Sequence, residues 1–217
     1  MDADKVHPLK VISALLQYPT DELFNAVAGL DSEAIGPVKS RQAKALKLFI
    51  GWYTSHHLDQ LQSEHVETFD FTRQNSLHLT YHLHGDSRQR GLALLKVKTA
   101  YTENGFEVSS EELPDYLPMM LEFASLSDAG IELLEAHRES LELIRSSLGR
   151  SGSAYESLLG AVISYLPRLS SRKVKRIRRL AEEGPPSEEV GLEPFAPPEV
   201  MPTDPSHTAV PIAGVGR

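Results

Sequence analysis

Apolar residues recur three and four positions apart through most of the first 180 positions, and no stretch keeps the strict alternation of a half-buried strand. That pattern predicts an all-α protein. Val6, Leu9, Ile12 and Leu16 open a first helix, which Tyr18-Pro19 ends because the residue before a proline avoids the helical region. Thr20 is placed to cap a second helix, with Asp21 and Glu22 against the positive end of its dipole and Leu23, Val27 and Leu30 on its apolar face. A third helix follows Pro37, with Leu46, Phe49, Ile50 and Tyr53 on one side and Lys39, Arg41, Lys44 and Lys47 on a solvated one. Further along, Asp86 is positioned to cap a helix reaching Glu103, and Gly105 is its left-handed terminator. Ser109 and Glu112 have capping-box spacing, and Pro114 and Pro118 bracket a turn before Met119, Leu121 and Phe123 resume a buried pattern. One helix then carries Ile131, Leu134, Leu141, Ile144 and Leu148 and breaks at Gly149-Arg150-Ser151-Gly152-Ser153. The next carries Tyr155, Leu158, Leu159, Val162 and Leu166.

Gly184 begins a different regime. Eight of the fourteen prolines fall between it and Arg217, a density that cannot sustain helical hydrogen bonding. The chain therefore divides into a single compact helical domain over residues 1–183 and a Pro-rich tail over 184–217, expected to be disordered or extended.

The segment Glu67 to Gly91, ETFDFTRQNSLHLTYHLHGDSRQRG, spends charge, aromatics and glycine where a plain helix would spend Leu, Ala and Lys. Phe69, Phe71 and Tyr81 offer apolar faces there, while Glu67, Asp70, Asp86, Arg88 and Arg90 supply both signs of charge. A recognition surface needs that mixture, and a packed turn with solvated charges is the plainer alternative. The run Glu67-Thr68-Phe69-Asp70-Phe71-Thr72, then Ser76-Leu77, Leu79-Thr80-Tyr81 and His84-Gly85-Asp86, resembles the signature of the nitrate reductase delta-subunit family, the NarJ-type chaperones. Gly105-Phe106-Glu107, Glu112 to Pro118 and Leu121-Glu122-Phe123-Ala124 continue the resemblance in order, over roughly Val6 to Leu169. The wider group of redox-enzyme maturation chaperones usually has Pro-Asp-His where this chain has Pro114-Asp115-Tyr116, so no role of that imidazole carries over.

The resemblance implies a helical domain of the maturation-chaperone type that serves respiratory nitrate reductase. It implies binding of the apo catalytic alpha subunit, at that subunit's N-terminal peptide, until molybdenum cofactor and iron-sulfur clusters are inserted, and absence from the mature enzyme. Molybdenum cofactor delivery proteins are further partners it admits. Carried onto this chain, the signature makes Phe69, Phe71 and Tyr81 apolar walls of a peptide groove, Glu67, Asp70 and Asp86 acceptors, Arg88 an orienting charge, and Pro114-Asp115-Tyr116 the opposite wall.

Composition narrows the chemistry. The chain has no cysteine, which excludes disulfides, zinc-thiolate sites, iron-sulfur ligation and thiol nucleophiles. His78 and His82 lie four apart, but His84 and Asp86 leave that face and no HExxH pattern accompanies them, so no metal or other cofactor is expected. Phosphate loops, dinucleotide fingerprints and nucleophile elbows are missing too, and no enzyme is expected. Net charge of −8 argues against general nucleic-acid or membrane affinity. The N-terminus lacks a basic segment followed by an apolar one, and no run is long and apolar enough to span a bilayer, so a soluble cytoplasmic protein is expected. The rival reading rests on Arg168, Arg172, Lys173, Lys175, Arg176, Arg178 and Arg179, a basic cluster able to neutralise nucleic-acid phosphates. Its interleaved Val174, Ile177 and Leu180 keep helical spacing and fit equally a final amphipathic helix with a solvated basic face.

Overall fold

The computed structural model describes residues 6–30, 35, 40–108 and 112–183. The proline-rich tail expected from Gly184 lies outside them. Among the described residues the regular structure is helical, and strand-like pairing is confined to two isolated bridges, Val6 with Ile35 and His78 with Tyr116.

Helix α1 spans Pro8–Leu15, beginning two residues after Val6, because Pro8 needs no amide partner in the first turn and the Leu9 N–H donates to His7 Nδ1 at 3.2 Å. Thr20 caps α2 (Asp21–Ala28) as expected, accepting from the Leu23 N–H at 3.2 Å. Helix α3 covers Ser40–Thr54, so Pro37 and Lys39 fall outside the described residues. Helix α4 (Leu58–His65) runs into a π-helical turn at Val66–Asp70, then a 3₁₀ turn at Arg73–Asn75 and the single-turn helix α5 at Tyr81–His84.

Ser87, not Asp86, holds the N-cap position of α6 (Arg88–Glu103); the Asp86 carboxylate reaches Arg90 Nη1 at 3.6 Å instead. Asn104 closes that helix and Gly105 follows at φ +78°, the left-handed conformation its position predicts. Glu112 caps no helix: its Oε1 accepts the Leu113 N–H at 2.8 Å, and the next helix, α7, begins at Leu117. Its capping-box partner Ser109 lies outside the described residues.

Helix α7 (Leu117–Leu126) turns sharply into α8 (Asp128–Ala136), with Ser127 capping the second by accepting from the Ala129 N–H at 3.2 Å. The corner is tight. A Cβ on Gly130 would lie 2.4 Å from Ala124 Cα and N, so only glycine fits. The single helix expected through Ile131 and Leu148 is in fact two, because the chain bends at His137 before α9 (Arg138–Ser151). The His137 N–H is shared between the Leu133 and Leu134 carbonyls at 3.3 and 3.2 Å, while its ring Nδ1 also binds Leu133 O at 2.9 Å. Apolar positions stay in phase across the bend, which hides it from a spacing argument. Helix α9 also continues through Gly149 and stops at Gly152, the residue of that run with positive φ, at +71°.

Helix α10 (Glu156–Ile163) packs between α3 and α9, α1 lies along α7, and α11 (Ser171–Glu183) rests on α9. Leu9, Ile12, Leu61, Leu121, Ile144 and Leu159 are fully buried in the shared core. Its aromatic centre is Tyr155, with Phe69 at 4.8 Å, Phe49 at 5.1 Å and Trp52 at 5.9 Å between ring centroids. Buried Arg138 joins α9 to the end of α10 by donating to Ile163 O at 3.0 Å and Pro167 O at 3.1 Å while pairing with Glu142 at 2.8 Å. The Ile163 carbonyl, in the last turn of α10, also accepts the Leu166 N–H at 3.1 Å, so Arg138 supplies its second donor.

Candidate functional site

The π turn sorts the signature aromatics. Its wider winding, closed by the Phe71 N–H on Val66 O at 3.2 Å, sends Phe69 and Phe71 to opposite fates. Phe69 is core, 7% exposed and stacked 4.9 Å from His65, whereas Phe71 is 80% exposed. Glu67 and Asp70 are exposed beside it, and the turn is pinned from below by buried Asn75, whose Nδ2 donates to Thr68 O at 2.8 Å.

Asp115, placed by sequence on the far wall of a groove, is instead the hub of a buried polar network. Its side chain is fully buried. One oxygen accepts from the Thr80 N–H at 3.0 Å and the Thr80 hydroxyl at 2.5 Å, and the other faces His78 Nδ1 at 3.2 Å. The backbones pair around it, with Leu79 N–H on Asp115 O at 3.0 Å and Leu117 N–H on Leu77 O at 2.8 Å. Burial raises the Asp115 pKa, but the bonds from His78 and Thr80 outweigh it and hold the carboxyl below the ordinary aspartate range. Tyr116 stacks 5.5 Å from His78. Burial, then the carboxylates of Glu112 and Asp70, push its phenol up to about 12, and Glu112 Oε1 lies 3.9 Å from His78 Nε2.

Arg90 extends the network outward. Its Nε donates to Thr80 Oγ1 at 3.4 Å, its guanidinium lies 5.5 Å over the Tyr81 ring, and Asp86 pairs with it. Tyr81 is half-buried, Asp86 and Arg88 are exposed, and Pro114 is half-buried. The structure thus brings together Tyr81, Asp86 and Arg90 on one side and His78, Asp115 and Tyr116 on the other, while Phe69 belongs to the core.

Beside Tyr81 opens an apolar groove of about 540 Å³ between α6 and α8, lined by Leu83, Leu92, Ala93, Val97, Leu133 and Ala136, with His84 and His137 among its polar members. Sequence reasoning placed none of these residues in a groove, and His84 entered it only through the signature and the metal question. The signal was present: Leu92-Ala93-Leu94-Leu95 wraps more apolar surface around α6 than one face can bury, and Leu92 and Leu95 remain 65% and 60% exposed. His82 donates from Nε2 to Ser76 O at 2.8 Å, and burial lowers its pKa, as it does for His65 and His137. No three His, Asp or Glu side chains converge as metal ligands among the described residues. Nor is any helix among them long and apolar enough to cross a membrane.

Comparison with known proteins bears on this geometry. Residues 37–157 match the family described as nitrate reductase delta subunit. The chain is 32% identical over 173 residues to the probable nitrate reductase molybdenum cofactor assembly chaperone NarJ of Bacillus subtilis, covering 78% of this chain and 94% of that protein. It is 32% identical over 164 residues to the nitrate reductase molybdenum cofactor assembly chaperone NarJ of Escherichia coli, covering 71% and 67%. The probable chaperone NarW of Escherichia coli is 36% identical over 118 residues, covering 54% and 49%.

Proposed function

The chain belongs to the nitrate reductase delta subunit family, and on that premise we propose that it is a dedicated chaperone of respiratory nitrate reductase. It binds the apo alpha subunit at its N-terminal segment, holds it until molybdenum cofactor and iron-sulfur clusters are in place, and leaves before the enzyme is mature. The observation that carries this reading is similarity to a named assembly chaperone along nearly that protein's whole length. The exposed apolar faces support it. An amphipathic helix laid between α6 and α8 would bury Leu92, Leu83 and Leu133, with Phe71 a second apolar anchor, and the charges of Glu67, Asp70, Asp86 and Arg88 would fix its register. Asp115 and Tyr116 then act from beneath, holding the signature segment in shape, and no step requires this chain to catalyse a reaction.

Binding only the immature client stabilises that state by mass action. The test is co-purification of the full chain with the alpha subunit from cells blocked in molybdenum cofactor synthesis and from cells that complete the enzyme. A complex is expected in the first and none in the second. Equal retention of mature enzyme, or no complex with either form, would refute the reading.

A further inference from the structure

Helix α11 lies beyond the family match, which ends at residue 157, and carries none of the residues proposed for the client peptide. At about 100° per residue, Arg172, Arg176 and Arg179 make one stripe, Lys173 and Lys175 flank it, and Val174, Ile177 and Ala181 fall on the other side. Ile177 is buried and the five cations are exposed, so the helix is held to α9 by its apolar side with its basic side outward. These five cations line an open cleft of about 740 Å³, within the span of roughly 300–1,000 Å³ usual for small-molecule sites.

Glu139, near the start of α9, is the one carboxylate among the described residues lining that cleft. Its side chain is 11% exposed, with Oε2 3.3 Å from Arg176 Nε, so it is the carboxylate with which a bound phosphate would compete for Arg176. Arg172 and Arg176 stand four residues apart, the spacing at which like charges repel across a helix turn. An anion seated among them relieves that repulsion. Guanidinium groups suit phosphate oxygens because their paired N–H donors meet two oxygens at once.

A long polyanion fits poorly. The seven cations from Arg168 to Arg179 leave the rest of the chain at −15 against −8 for the whole, a field that repels nucleic acid beyond the cleft, and α11 has no aromatic side chain for base stacking. We propose that the cleft between α11 and the start of α9 binds a small phosphate-bearing molecule, its phosphate or diphosphate group held by Arg172, Lys173 and Arg176.

Titration of the full chain with inorganic pyrophosphate at about 0.15 M ionic strength tests this by calorimetry and thermal shift. One saturable site and a raised Tm are expected. Arg172→Gln with Lys173→Gln should weaken binding at least about tenfold, while Glu139→Gln, which removes a competing carboxylate, should tighten it severalfold. The double variant should keep its affinity for the alpha-subunit peptide, so failure here and failure of the chaperone reading show separately. Three results would overturn the site: no saturation, equal binding of sulfate at the same ionic strength, or tight binding of RNA or phosphatidylglycerol vesicles that pyrophosphate does not displace.

Discussion

Replacing Asp115 by alanine is expected to destabilise the fold by about 3–5 kcal/mol, because it strips the acceptor from a buried N–H and a buried hydroxyl at once. The carboxylate is the point where the segment around Thr80 is fastened to the segment leading into α7, 35 residues later in sequence. Asp115→Asn retains one acceptor oxygen for Thr80 and should lose about half as much. Urea unfolding of both variants measures the loss, and a change under about 1 kcal/mol for the alanine variant would remove Asp115 from its hub role.

The same network predicts how the fold responds to acid. The Asp115 carboxyl titrates below its unfolded value, so its contribution is present above roughly pH 3.9 and is lost as pH falls through the lower folded value. Burial holds His65, His82 and His137 below the ordinary imidazole value. The unfolded chain therefore takes up their protons first, and stability present above about pH 6.5 declines as pH drops toward the folded values. A Tm profile should fall below about pH 6.5 and again below about pH 3.9, with the second fall reduced in Asp115→Asn. A Tm that rises between pH 7 and pH 5.5 would contradict this sign.

Helical spacing made most of the architecture readable, since Thr20, Gly105 and the apolar stripes of α1, α3 and α10 act through neighbours within one or two turns. What stayed hidden was decided by contacts distant in sequence or by a change of winding. The bend at His137 leaves the apolar phase intact. Ser87 and Asp86 are equally good caps on paper, and Arg90 draws the aspartate away. Asp115 reads as a surface residue between two prolines until Thr80 and His78 are seen closing over it. The groove of α6 and α8 was legible only as a surplus of leucine, because which side of α6 meets the body depends on where α8 lies.

Phe69 and Phe71 separate the structural part of the signature from the part offered to a partner. The two rings are chemically identical and two residues apart, yet one touches Tyr155 in the core and the other is 80% exposed. Phe69→Ala should cost about 3–5 kcal/mol of stability, since it empties space beside Tyr155 and His65 that neighbouring helices cannot fully close. Its effect on client binding should then follow the folded fraction alone. Phe71→Ala should change stability by no more than about 0.5 kcal/mol, as expected for an exposed side chain with little to lose on unfolding. If Phe71 is an anchor for the alpha subunit's N-terminal segment, the same variant weakens that peptide's binding by about 1–3 kcal/mol in a fully folded protein. Unfolding curves and peptide titrations on both variants give the four numbers needed. A Phe71→Ala variant that is folded and binds the peptide unchanged would take this residue out of the recognition surface and leave the groove between α6 and α8 to account for binding alone.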